Sequence, residues 1–299
     1  MRGNKTMNIN SNNSLKIQTL IEALPYIQKY NNKIVVIKYG GNAMINEELK
    51  TAVMHDIVLL SLIGVKVVLV HGGGPEITDM LTRVGKKSEF VDGLRVTDKE
   101  TAEIALMVLA GKINKELVNL INNINGNAIG LCGVDANMIE AKQLDEKLGY
   151  VGEITNINKA PIVDLLENGY IPVISTIGCD KSGNIYNINA DTAAAMIAAS
   201  LEAESFISMT DIKGILRDKE DEDSLIAEIN IKDAPQLIES DVISGGMIPK
   251  INCCIDAIKS GVHKVFILDG RVPHSILIEM LTNEGVGTMF INEKGDNDE

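Results

Sequence analysis

Ile34-Val-Val-Ile-Lys-Tyr-Gly-Gly-Asn42 and Val65-Lys-Val-Val-Leu-Val-His-Gly-Gly-Gly-Pro75 decide the architecture. Each is a short, β-branched apolar run that ends in glycines. Ile34 to Ile37 has no polar position, as a strand covered on both faces requires. Pro75 stands where a helix can open, because the first helical residue needs no N–H partner. The same strand-and-helix beat continues outward. Helices are expected over 46–63, 98–123, 161–168, 191–203, 246–260 and 274–283. Strands are expected at 128–131, 171–176, 205–209, 264–268 and 287–291, with a hairpin beginning in 150–153. Gly169 is a natural stop for the helix before it. Alternation of this kind implies a mostly parallel central sheet between helical layers, a three-layer αβα sandwich.

On the N-terminal side, Leu15, Ile17, Leu20, Ile21, Leu24 and Ile27 recur at nearly helical spacing. Ser14 could cap that helix, and Pro25 should kink it. The stripe precedes the first strand, so it packs either on its own domain or on another subunit. Residues 1–13, rich in Asn and Ser, read as an unstructured extension.

The charge balance narrows the function. With 28 Lys and Arg against 41 Asp and Glu in 299 residues, the net charge is −13, and nucleic acid would be repelled. There is no Trp to stack on bases. No run approaches the roughly 18 apolar residues of a membrane span, and the start of the chain has no apolar signal-peptide centre. Cys132, Cys179, Cys253 and Cys254 have neither zinc nor CxxC spacing, and the four His include no HExxH. The expectation is a cytoplasmic protein with free thiols and no tightly held metal. The acidic run at 218–223, interleaved with Lys219, reads as a solvated loop.

Three glycine-rich turns carry the chemical signal. They are Lys38-Tyr39-Gly40-Gly41-Asn42, His71-Gly72-Gly73-Gly74-Pro75, and Ser244-Gly245-Gly246-Met247 before a helix bearing Lys250. Glycine lets backbone N–H groups approach an anion, and a helix N-terminus adds partial positive charge. One such turn is ordinary turn chemistry; three, two of them with a lysine, point to a phosphate. GxxxxGK[ST], HRD and DFG are missing, so neither a P-loop nor the protein-kinase machinery is present, and the lack of GxGxxG after the first strand disfavours a dinucleotide site.

IVVIKYGGNAM, VVLVHGGGPEI, VDGLRVTD, YNINADTAAAMIAASL and ISGGMIPKI, in that order between Lys33 and Phe290, resemble the amino acid kinase family and more narrowly its acetylglutamate kinases. The resemblance implies the amino acid kinase fold, ATP with Mg²⁺, and N-acetyl-L-glutamate as phosphoryl acceptor. Lys38 and Lys250 match the phosphoryl-stabilising lysines, and Asp191 the acid that organises them. Asp191 near a helix start would also suit an N-cap. Gly40, Gly41, Gly73 and Gly246 match the phosphate-binding backbone. Gly73, Gly74, Arg95 and Asn187 match the acetylglutamate site. Thr210, Asp211, Lys213 and Gly214 match the nucleotide side.

By the same resemblance, residues 1–31 are an extension with an oligomerisation helix, 32–203 an acetylglutamate-binding and dimerising lobe, and 204–299 a nucleotide lobe. The helix over 14–30 and LTNEGVGTMF look like the arginine-inhibited subgroup, whose hexamers are trimers of dimers. His263, Lys264, Glu284 and Gly285 are the implied effector contacts. An acetyl-aminoadipate kinase, one methylene longer in substrate, and a catalytically silent arginine sensor remain alternatives, although silent relatives should have lost Lys38, Lys250 or Asp191.

Overall fold

The computed structural model describes residues 11–44, 46–218 and 220–292. Its strands, in chain order, are β1 (Ile34–Tyr39), β2 (Lys66–His71), β3 (Phe90–Val91), β4 (Leu94–Arg95), β5 (Ala128–Cys132), β6 (Ile139–Gln143), β7 (Gly152–Ile157), β8 (Ile171–Ser175), β9 (Ile177–Cys179), β10 (Ile185–Asn187), β11 (Ser205–Thr210), β12 (Glu228–Asn230), β13 (Lys264–Asp269) and β14 (Thr288–Ile291). The central sheet runs β12-β14-β13-β11-β1-β2-β8-β5. From β13 to β5 the strands are parallel; β14 is antiparallel to β13, and β12 follows β14.

Strand periodicity builds both outer layers. Val35, Ile37, Val67 and Leu69 enter one core with Ile57 and Leu109. Val36, Val68, Val70 and Phe206 enter the other with Ala193, Ala194 and Ile197. Each Val, Leu, Ile or Phe side chain among them contributes roughly 1.5–3 kcal/mol on full burial. Lys38 follows Val36 by two, so it emerges on the second face. That face is covered by the helix Ala190–Ser200, whose buried alanines let it lie close to β1 and to the helix Met247–Lys259. The parallel strands β1, β2, β8, β11 and β13 bring the turns after Tyr39, His71, Ser175, Thr210 and Asp269 to one edge, where ligands bind in such sheets. β11 pairs directly with β1, so the sheet crosses residue 204 without a break.

Several sequence expectations are corrected. The first helix begins at Ser11, not Ser14, and residues 1–10 of the expected extension lie outside the described residues. The kink falls at Ala23, with Leu24–Tyr30 as a second helix opened by Pro25. The helix expected over 98–123 is Lys99–Leu106, a π turn over Met107–Ile113, and Asn114–Asn123. The expected hairpin at 150–153 is its return half, since β7 pairs antiparallel with β6. The second sheet, β10-β9-β6-β7, was not legible, because β6 reads Ile-Glu-Ala-Lys-Gln and only Ile139 and Ala141 are buried. β12 and the helix Ala234–Glu239 also went unread. In the acidic run, whose Lys219 is outside the described residues, Asp221 caps a short 3-10 turn.

Candidate active site

Asp191 stands in the first turn of Ala190–Ser200, but it does not cap that helix. Asn189 does, accepting from the N–H groups of Asp191 and Thr192. The Asp191 carboxylate is left for two ammonium groups. Lys38 Nζ lies 2.9 Å from Oδ1 and Lys250 Nζ 2.6 Å from Oδ2. Lys38 is nearly buried and Lys250 half-buried. Burial pushes the Asp191 carboxyl upward, yet the two ammonium groups outweigh it and hold the group at about 2. It is therefore ionised at neutral pH, a counter-ion and not a proton donor.

Beside this triad the glycines make room. A Cβ on Gly40 would stand 3.3 Å from Lys38 Nζ. Gly41 turns with φ +72°, and a Cβ there would come 2.9 Å from Asp211 Oδ1. Nothing lies within 4 Å of a Cβ position at Gly245 or Gly246, ahead of the helix carrying Lys250. Lysines 38 and 250, Asp191 and the first glycine turn thus share one edge of the sheet.

Next to it opens a cleft of about 150 Å³. Gly72, Gly73 and Gly74 form one wall, Phe90 and Arg95 of the β3–β4 hairpin a second, and Asn187 to Ala190 a third. Ala190 joins the cleft to Asp191, and its Cβ lies 3.3 Å from where a Cβ of Gly72 would be. Arg95 is buried. Its guanidinium donates to Gly74 O at 2.8 Å, Thr78 Oγ1 at 2.9 Å and Ser88 Oγ at 2.5 Å, and stacks 4.7 Å from the centre of the Phe90 ring. Burial pushes its pKa down. Among the described residues no carboxylate pairs with it. Thr78, Ser88 and Phe90 gave no sequence signal, since each is an ordinary residue until the hairpin folds over the helix Gly74–Arg83.

The remaining expected residues lie on the C-terminal half, Thr210 and Asp211 at the same edge as the first glycine turn. Thr210 ends β11 opposite Asp269. Lys213 pairs with Glu222 at 2.5 Å. Gly214 has φ +141° and lies against Thr288, whose hydroxyl accepts from Ile215 N–H. Asp269 and Arg271, not anticipated from sequence, form a pair at 2.8 Å at the same edge. His263 starts the run into β13, with Nδ1 3.6 Å from Glu204 Oε2. Lys264 is opposite Ile291 in the β13–β14 ladder. Glu284 and Gly285 lie in the turn before β14, where Glu284 N–H donates to Thr282 Oγ1 and Gly285 faces Glu279. Among the described residues no three His, Cys, Asp or Glu side chains converge as a metal cage, and no helix is long and apolar enough to cross a membrane.

Comparison with known proteins agrees with the fold. The model of the amino acid kinase family matches residues 33–269. An acetylglutamate kinase from Brachyspira hyodysenteriae is 56% identical over 94% of this chain and 98% of its own. One from Clostridium kluyveri is 51% identical over 94% of this chain and 100% of its own. Among solved structures, N-acetylglutamate synthase from Neisseria gonorrhoeae, complexed with coenzyme A and N-acetyl-glutamate, superposes with a TM-score of 0.81 at 26% identity. That match covers 93% of this chain but only 63% of the synthase. Giardia carbamate kinase shares the fold, with a TM-score of 0.66 at 16% identity over 88% of this chain and 99% of its own. A carboxylate between two lysines, set beside a glycine-walled cleft in a chain so similar over nearly its full length, leaves one assignment: the chain belongs to the amino acid kinase family and, within it, to the acetylglutamate kinases.

Proposed function

We propose that the chain moves the γ-phosphoryl group of ATP to the γ-carboxylate of N-acetyl-L-glutamate, yielding N-acetyl-L-glutamyl 5-phosphate and ADP for arginine biosynthesis. The observation that carries this is Asp191 holding Lys38 and Lys250 together at the end of the Arg95 cleft. A carboxylate oxygen attacks the γ-phosphorus while the bond to the β-phosphate oxygen breaks, and ADP leaves with that electron pair. The nucleophile is already ionised at neutral pH, so no general base is needed. The obstacle is one anion approaching another. Lys38 and Lys250 offset it, and the N–H groups of Gly40, Gly41, Gly73 and Gly246 add donors around the transferring group. When bound with ATP, Mg²⁺ neutralises phosphate charge, held chiefly by phosphate oxygens and water.

Arg95 grips the substrate α-carboxylate, and Asn187 and Gly74 meet its acetamido end. A buried guanidinium with only neutral partners is costly, which favours an anionic ligand there. Thr210, Asp211, Lys213 and Gly214 face the nucleotide in the lobe 204–299, and Lys213 leaves Glu222 to do so. Residues 32–203 form the acetylglutamate lobe. The enzyme works in the cytoplasm. Leu15, Ile17, Leu20 and Ile21 are exposed in the single chain, which supports residues 1–31 as the element that links dimers into a hexamer. Arginine inhibits by binding at His263, Lys264, Glu284 and Gly285 near that helix.

An ADP-release assay with ATP and Mg²⁺ tests this. Turnover is expected with acetylglutamate, less with acetyl-aminoadipate, and lower when arginine is added. Equal turnover with the longer acid would overturn the substrate, and none with either would favour a silent sensor. Removing residues 1–30 should reduce the particle to a dimer by light scattering and blunt inhibition by arginine. A truncated protein that keeps its mass class and its arginine response would rule out the linking helix.

A further inference from the structure

His71 is completely buried at the end of β2, directly before the glycine wall of the cleft. Its Nδ1 lies 2.9 Å from Gly72 O. A carbonyl can only accept, so Nδ1 carries the proton. Nε2 then has a lone pair, and it faces Asn114 Nδ2 at 3.2 Å. The Asn114 amide is oriented by the same logic. Nδ2 also faces Val173 O at 2.8 Å and Leu131 O at 3.3 Å, so its two protons serve three acceptors, all of which require the nitrogen on this side, while Oδ1 accepts from Lys115 Nζ at 3.0 Å. Gly130 leaves space for this amide, since a Cβ there would stand 1.9 Å from Asn114 Oδ1. Burial pushes the imidazole down to about 4, so it is neutral at working pH.

Asn114 immediately follows the π turn Met107–Ile113, a form concentrated at functional sites. The same turn presses Ile113 and Leu109 on the glycine wall: a Cβ on Gly73 would lie 2.2 Å from Ile113 Cδ1 and 2.7 Å from Leu109 Cδ2. In a trans peptide the C=O and the following N–H point in opposite directions. Holding the Gly72 carbonyl towards the buried imidazole therefore turns the Gly73 N–H away from it. Among the described residues that N–H has no protein acceptor.

We propose that His71 is a positioning residue for phosphoryl transfer. Its Nδ1–H fixes the Gly72–Gly73 peptide so that the Gly73 N–H faces the cleft, and Asn114 fixes the imidazole tautomer. The role rests on the phosphoryl-transfer reading but is separable from it by experiment. The Asn side chain can place its amide nitrogen near the Nδ1 position, and the Gln side chain near Nε2. His71→Asn should therefore keep the bond to Gly72 O, and His71→Gln should lose it. The expected result is that His71→Gln lowers kcat/KM for acetylglutamate about tenfold or more below His71→Asn, with KM for ATP within about twofold of the parent, because a small misplacement of a reacting group is costly. Equal losses in the two variants, or no loss in either, would overturn the positioning role and leave packing alone. In the unaltered enzyme, ¹⁵N spectra of the imidazole should report the neutral Nδ1–H tautomer at pH 7. A proton on Nε2 would overturn the proposal even if neither variant folds. That spectrum needs no turnover, whereas failure of the parent enzyme to release ADP would count against phosphoryl transfer itself.

Discussion

Lys38→Ala lowers kcat by about 10²–10³-fold, the expected cost of removing one preorganised donor to transition-state charge. Lys38 Nζ is 2.9 Å from Asp191 and sits beside Gly40. Its charge is thus already placed and largely shielded from water before substrate arrives. Alanine leaves Asp191 with Lys250 alone, which turns part of the site's field against the incoming phosphates. Lys250→Ala should lose a similar factor. The double variant should lose much less than the product of the two, since both lysines act through one carboxylate. ADP release at saturating ATP and acetylglutamate measures this, with thermal melting as the check on folding. A folded Lys38→Ala protein within a fewfold of the parent kcat would remove the lysine from the chemistry.

Arg95→Lys acts on the other half of the reaction. The guanidinium reaches Gly74 O, Thr78 Oγ1 and Ser88 Oγ at once and covers the Phe90 ring. An ammonium cannot reproduce that planar fork, nor a two-point grip on a carboxylate. The loss of a charged, largely desolvated pair is worth roughly 2–3 kcal/mol, or about 10²-fold in binding. It should show as a raised KM for acetylglutamate, because the clamp grips ground state and transition state alike. KM for ATP should hardly move. If both KM values rise together, or neither does, Arg95 is not the substrate clamp.

These two residues also mark how far the chain could be read without coordinates. Lys38 was legible because its neighbours constrain it: a wholly apolar strand on one side and a glycine pair on the other leave the lysine at a sheet edge. Arg95 was legible only through its resemblance to a family motif. The partners that hold it, Thr78, Ser88 and Phe90, became visible when the hairpin closed on the helix. β6 escaped because a strand that buries only Ile139 and Ala141 has too short a pattern to stand out. The π turn escaped because one extra residue per turn barely alters an apolar stripe, yet it decides that Asn114 faces His71.

The sequence by itself determined seven of the eight strands of the central sheet, the glycine turns after β1 and β2 and the acidic, mostly parallel α/β character. These depend on local chain chemistry: a strand buried on both faces is a nearly continuous apolar run, and a turn with positive φ favours glycine. Only the tertiary structure decided that Lys250 meets Asp191 across 59 residues, that Asn189 takes the capping role and frees the acid, and that His71 must carry its proton on Nδ1. Such contacts depend on where two helix axes come to rest against one sheet face, which is set by side chains packed from distant parts of the chain. A periodic pattern reports burial, but it does not say which buried group lies opposite which.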